Sequence, residues 1–304
     1  MGTTAGDSGW TPESETVRQQ HFEVNGTPEL DIAIGAGRVE VRLSDQPGVH
    51  VEVRHASEEA SPFSVGLSGL VTWVTHQFTG TQSQSAADEA VRRTRIDLVG
   101  QRVAVHAPRG LPLRTVPLSI TVHAPGNTEV AVHGDTADIT VNGTAGRLDV
   151  DSGTGNVTVD RVEGKASVHS GSGTVRLGTT LGGLRLRTGI GNVEIASVGG
   201  PSTLLTGSGD VWLGTVQSDT TVRSGTGDVT VADAASGRIE LQTGSGEVRV
   251  GIRSGVTAQI DLFSATGRAR SELEVKDEPP AEEPTLWVRA RSAAGDVVVT
   301  RAVN

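Results

Sequence analysis

The chain has 304 residues and a net charge of −10, with 40 glycines, no cysteine, no tyrosine and only 3% aromatic residues. The missing cysteine excludes disulfides, thiol catalysis and cysteine-ligated metals. The arginines are scattered and Lys165 and Lys276 are the sole lysines, so no basic run forms a nucleic-acid footprint; no run of 18 apolar residues forms a membrane helix.

Residues 1–20 are polar and lack a basic segment followed by an apolar one, so a disordered tail is expected rather than a secretory signal. The corresponding expectation for location is cytoplasmic, with envelope association left open. From 21 to 56 the pattern alternates as in strands. Leu30-Asp-Ile-Ala-Ile34 runs into Gly35-Ala-Gly37-Arg-Val39-Glu-Val41, and Val49-His-Val-Glu-Val53 follows a turn. His50 and His55 are an odd number apart and face opposite ways on a strand. The other histidines show no ligand spacing, so no metal site is expected.

Residues 57–95 break the strand pattern. Ser85-Ala-Ala-Asp88-Glu89-Ala-Val-Arg-Arg93 has a capping serine, acids in its first turn and arginines in its last, which predicts a short helix. Phe63, Trp73 and Phe78 precede it and are expected to cover an end or side of the sheet. Strands resume at Arg95–Leu98, Arg102–Val105, Leu118–Val122 and Glu129–Val132.

A repeat then takes over. The second glycine of Ser/Thr-Gly-x-Gly falls at Gly155, Gly173, Gly191, Gly209, Gly227 and Gly246, spaced by 18, 18, 18, 18 and 19. The phase reaches back to Ala137 and, less regularly, forward to Gly267 and Gly295. Each unit reads apolar-x-apolar-x-Ser/Thr-Gly-x-Gly-x-Val-x-apolar, and both arms have the period of two that marks a strand. One unit cannot bury a core, but stacked units form parallel ladders about 4.8 Å apart. Such a coil has a core one side-chain layer thick and no lumen. The glycine pairs Gly153/Gly155, Gly171/Gly173, Gly189/Gly191, Gly207/Gly209, Gly225/Gly227 and Gly244/Gly246 are read as structural corners. Ser152, Ser170, Thr188, Thr206, Ser224 and Thr243 precede them on the inward side, where hydroxyls are expected to bond corner backbone groups.

Functional readings of these residues are weak. Each Gly-x-Gly runs into a strand, whereas a dinucleotide loop opens a helix. The position after the second glycine reads Asp138, Asn156, Thr174, Asn192, Asp210, Asp228, Glu247, Arg268, too mixed for a calcium ladder. The outward columns vary: Thr158, Arg176, Glu194, Trp212, Thr230, Arg249 on one face and Asp149, Ser167, Arg185, Thr203, Thr221, Glu240 on the other. Trp212, the sole aromatic between 138 and 255, is a possible binding anchor. Beyond the repeats, Lys276-Asp-Glu-Pro-Pro-Ala-Glu-Glu-Pro284 forms an acidic, proline-rich loop.

The expected fold is all-β: a parallel β-solenoid with 18-residue coils, capped by N-terminal strands and a short helix. The segments are a tail at 1–20, an N-terminal β region at 21–136 with the capping insert at 57–95, and the solenoid at 137–304 with the acidic loop at 272–285.

Pro117-Leu-Ser-Ile-Thr-Val-His-Ala-Pro125-Gly-Asn, followed by Thr/Ser-Gly-Ser-Gly-Asp-Val-like units at 206–211, 224–229 and 243–248, resembles the DUF4097 family of candidate adhesins. The resemblance covers most of 21–304 and implies an attachment or envelope-related role with no catalytic residue to carry over. The leading functional expectation is therefore a non-enzymatic interaction module with a protein or cell-envelope partner, no cofactor, no nucleic acid and no membrane insertion. One alternative is a self-assembling scaffold like the bactofilins, joined end to end. Another is a polysaccharide-acting β-helix enzyme, for which Asp149 and Asp151 are the sole paired carboxylates of interest.

Overall fold

The computed structural model describes residues 16–24, 26–56, 85–273 and 283–302. The expected aromatic cover (Phe63, Trp73, Phe78), most of the 1–20 tail and Lys276 to Glu282 of the acidic loop lie outside them. The described chain is a parallel β-solenoid whose sheet wraps into two broad faces.

The first face begins with β4 (Arg95–Val99), β5 (Arg102–His106), the first half of β2 (Glu29–Ser44) and the first half of β7 (Glu129–Ala145). It continues through β8 (Arg147–Thr154), β10 (Ala166–Ser172), β12 (Leu184–Ile190), β14 (Ser202–Ser208), β16 (Thr220–Thr226) and β18 (Gly237–Ser245). It ends on β22 (Leu286–Ala294) and then β20 (Ala258–Ser264).

The second face starts at β1 (Arg18–Phe22), β3 (Val49–His55) and β6 (Pro117–Pro125), then takes the second halves of β2 and β7. It continues through β9 (Val157–Val162), β11 (Val175–Thr180), β13 (Val193–Val198), β15 (Val211–Val216), β17 (Val229–Ala234) and β19 (Val248–Ile252). It ends on β23 (Val297–Arg301) and β21 (Ala269–Ser271). Among the described residues the antiparallel pairings are β1 with β3, β3 with β6 and β4 with β5. Residues 85–93 are helical (α1), and Ala90 and Val91 of this helix join the core.

The apolar columns stack as the repeat requires. Val150, Val168, Leu186, Leu204, Val222 and Leu241 lie in register on the first face, and Val157, Val175, Val193, Val211, Val229 and Val248 on the second. All are buried, and each contributes roughly 1.5–3 kcal/mol relative to exposure. The corners need glycine for two reasons, both visible at Gly191. Its φ is 143°, and a Cβ there would stand 2.0 Å from the Gly173 carbonyl oxygen.

Two expectations change. The coils do not stack in chain order at the ends. The last coil, β22–β23, inserts between β18–β19 and β20–β21; the first, β2, lies between β5–β6 and β7. The physical reason is which coil can use two neighbours. β23 turns Val297 and Val299 inward, whereas the equivalent positions of β21 are Ala269 and Ser271. The more apolar coil takes the interior place, and the less apolar one ends the stack.

The inward hydroxyls are the second change. All six are buried, but Ser152, Ser170, Thr188, Thr206 and Ser224 have no hydrogen-bond partner. Thr243 alone donates to a corner carbonyl, that of Gly227 at 3.0 Å. Ser292 and Ser264, in the irregular coils, do the same to Gly246 and Gly295 at 2.9 and 2.7 Å. The column is selected for small size at a tight corner; hydrogen bonding is realised only toward the C-terminal end.

Candidate functional site

With a filled core, chemistry is confined to the outer faces. The first face carries a basic patch. Ser167 and His169 on β10, Arg185 and Arg187 on β12, Thr203 on β14 and Arg223 on β16 all point outward and are exposed. Arg187 is in register with His169 on one side and Leu205 on the other; Arg223 is in register with Leu205. Neighbouring strands are about 4.8 Å apart, so Arg187 and Arg223 stand roughly 10 Å apart along the stack. Arg185, Arg187 and Arg223 make no ion pair or side-chain hydrogen bond among the described residues.

On the second face Asp160 and Glu194 stand among Arg161, Arg176 and Arg249, and Arg176 and Arg249 are already engaged. Arg176 Nε donates to Glu194 at 3.1 Å, and Arg249 Nη2 to Glu247 at 2.7 Å. Trp212 projects from β15 between Glu194 and Thr230 and is 43% exposed. Its ring leans over Gly214, where a Cβ would lie 3.2 Å from Trp212 Cη2.

Three further clusters were not legible in the sequence. Asp31, on β2, accepts from Arg102 Nη2 at 2.8 Å and meets His106 Nε2 at 3.1 Å. Burial pushes the Asp31 carboxyl up, but Arg102 and His106 together hold it below its ordinary value. Its register neighbours are Ala104 and Ala131, and those of His106 are Ala33 and Arg95, so none of the four is a nucleophile. The Asp31 cluster fastens β5 to β2.

A cleft of about 370 Å³ lies at the adjoining corner, lined in part by Arg109, Arg114, His133, Asp135 and Asp151. Arg114 is committed to Asp135, to which its Nε donates at 2.8 Å.

The third cluster is a row of imidazoles on β1, β3 and β6. His21 is opposite His50, and His50 opposite His123. The ring centroids are 6.4 and 6.2 Å apart. The residues are 29 and 73 positions apart in the chain, so only the antiparallel pairing brings them together. Among the described residues no group of three or more His, Asp or Glu side chains is placed to hold a metal ion.

Asp149 and Asp151, the pair singled out for an enzyme, look across to Ala131 and Ser167, and to His133 and His169. No second carboxylate column joins them. Among the described residues no helix is long and apolar enough to cross a membrane.

A filled, glycine-cornered parallel β-solenoid defines the class of repeat protein. The family model described as Toastrack DUF4097 matches residues 114–300, well over half of the chain, and the chain belongs to that family. Solved structures of similar outline include a candidate adhesin of Bacteroides fragilis, with 13% identity, 94% of this chain and 98% of that chain covered, and a TM-score of 0.47. A candidate lipid-binding protein of Parabacteroides distasonis has 11% identity, coverage of 93% and 96%, and a TM-score of 0.44. A candidate cell adhesion protein of Clostridium sporogenes has 9% identity, coverage of 95% and 100%, and a TM-score of 0.21. No curated protein matches the sequence.

Proposed function

We propose that the chain is a non-enzymatic attachment module that engages an anionic partner surface, of a protein or of the cell envelope, through its first face. The observation that carries this reading is the uncompensated set Arg185, Arg187 and Arg223 on one flat sheet of a chain whose net charge is −10. Guanidinium groups with no internal partner offer bidentate hydrogen bonds to carboxylate, phosphate or sulfate. Exposed Ser167, Thr203 and His169 add polar side chains around them. Trp212 would anchor a separate protein contact on the second face. The DUF4097 membership supports a binding role and supplies no catalytic residue.

The test is binding of the full chain to immobilised cell-envelope material and to an anionic polymer, at low and high salt. Arg187→Glu with Arg223→Glu is expected to lower retention at least tenfold, and wild-type retention to fall as salt screens the patch. Retention unchanged by the double reversal would reject the first face as the attachment surface.

A further inference from the structure

The row His21, His50 and His123 lies outside the basic patch and has no structural task. None of the three rings makes a hydrogen bond among the described residues. Arg42, in register with His123, turns away to Glu40, to which its Nε donates at 2.7 Å. Glu52, two residues along β3 from His50, accepts instead from Gln19 Nε2 at 2.8 Å. The other charged neighbours are therefore engaged, while the imidazoles are left free. Space is also kept for them: a Cβ on Gly48 would stand 3.0 Å from His21 Cε1.

We propose that His21, His50 and His123 bind a late first-row divalent cation of the zinc, nickel or copper class. Imidazole suits these ions, and an oxygen-seeking ion such as magnesium or calcium would find no ligand set here. The row offers two chelating pairs that share His50. Nitrogens bound to one zinc at 2.0–2.1 Å place the ring centroids roughly 5 Å apart. The present spacings of 6.4 and 6.2 Å therefore close by small side-chain rotations, which exposed His21 and half-buried His50 and His123 have room to make. The three strands are the antiparallel edge of the solenoid's N-terminal end, held by β1 and β3 being paired one to the next. A cation bridging them clips β1 and β3 to β6 and so closes that edge.

The experiment is titration of the full, tag-free chain with zinc chloride and with nickel chloride by calorimetry at pH 7.5, with thermal unfolding in parallel. One ion per chain at micromolar affinity is expected, with a rise in midpoint at saturation. His50→Gln should weaken binding at least tenfold, because His50 serves both pairs. His21→Gln, on the exposed outer strand, should weaken it less and leaves the fold intact if His50→Gln does not. His169→Gln, on the first face, should leave binding unchanged. No binding up to millimolar metal, or equal binding by wild type, His50→Gln and His21→Gln, would overturn the proposal.

Discussion

Asp228 Oδ1 accepts the backbone N–H of Glu247 at 2.7 Å, across the corner from one coil to the next. The contact recurs. Asp138 accepts from the Asn156 N–H at 2.8 Å, Asn156 from Thr174 at 3.1 Å, Asn192 from Asp210 at 3.0 Å and Asp210 from Asp228 at 2.9 Å. In the exchanged last coils Asp296 accepts from Arg268 at 2.9 Å. This is why Asp and Asn favour the position after the second glycine. The side chain supplies an acceptor to the corner backbone N–H of the next coil, so the column is a hydrogen-bond ladder.

Removing one rung should therefore cost stability without affecting binding. Asp228→Ala is expected to destabilise by about 1–2 kcal/mol. Thr174 interrupts the ladder between Asn156 and Asn192, because its hydroxyl makes no such bond. Thr174→Asn should stabilise by a few tenths to about 1 kcal/mol. Urea unfolding of both variants checks the signs.

The corner glycines differ in how much they tolerate. A Cβ at Gly209 would meet the Gly191 carbonyl oxygen at 2.2 Å with φ at 130°, whereas Gly100 has φ at 65° and nothing within 4 Å. Gly209→Ala should lower stability by more than about 3 kcal/mol, since backbone strain and a backbone clash add. Gly100→Ala should cost only about 1 kcal/mol, the ordinary price of a left-handed residue. Thermal unfolding of the pair separates the two effects.

Leu213 and Trp212 are adjacent in sequence and opposite in role. Leu213 is fully buried, Trp212 is 43% exposed. Leu213→Ala should destabilise by about 2–5 kcal/mol. Trp212→Ala should change stability by less than about 1 kcal/mol. Trp212 is the proposed anchor of the second face, so its loss is read in partner capture from native cells and not in the unfolding curve.

Acid stability has a local test in Asp233. The hydrogen bonds from Arg253 hold its carboxyl below the ordinary value, against partial burial that pushes it up; Thr215 assists. Arg253 Nε donates to both carboxylate oxygens, at 3.0 and 3.2 Å. A depressed folded value means the stabilisation is present above the unfolded carboxyl range, about pH 4, and is lost as pH falls through the lower folded value. Arg253→Gln should therefore be less stable than wild type at pH 7, with the difference closing as pH falls through the lowered folded value of Asp233. Denaturant midpoints across that range measure it.

The sequence by itself determined the coil. The period of two, the spacing of 18 and the glycine pairs are local properties, and each follows from backbone sterics that act within one turn of the solenoid. Ser85 to Arg93 was legible as a helix for the same reason, from its own charges and cap. The tertiary structure alone decided the rest. Whether Val297 or Ala269 lies inside the stack depends on competition between two whole coils for one place. Whether Arg187 and Arg223 flank Leu205 on one face, or His50 stands between His21 and His123, depends on register between separate strands. Stacking turns a one-dimensional pattern into two faces, and the charges that matter for binding acquire neighbours only then.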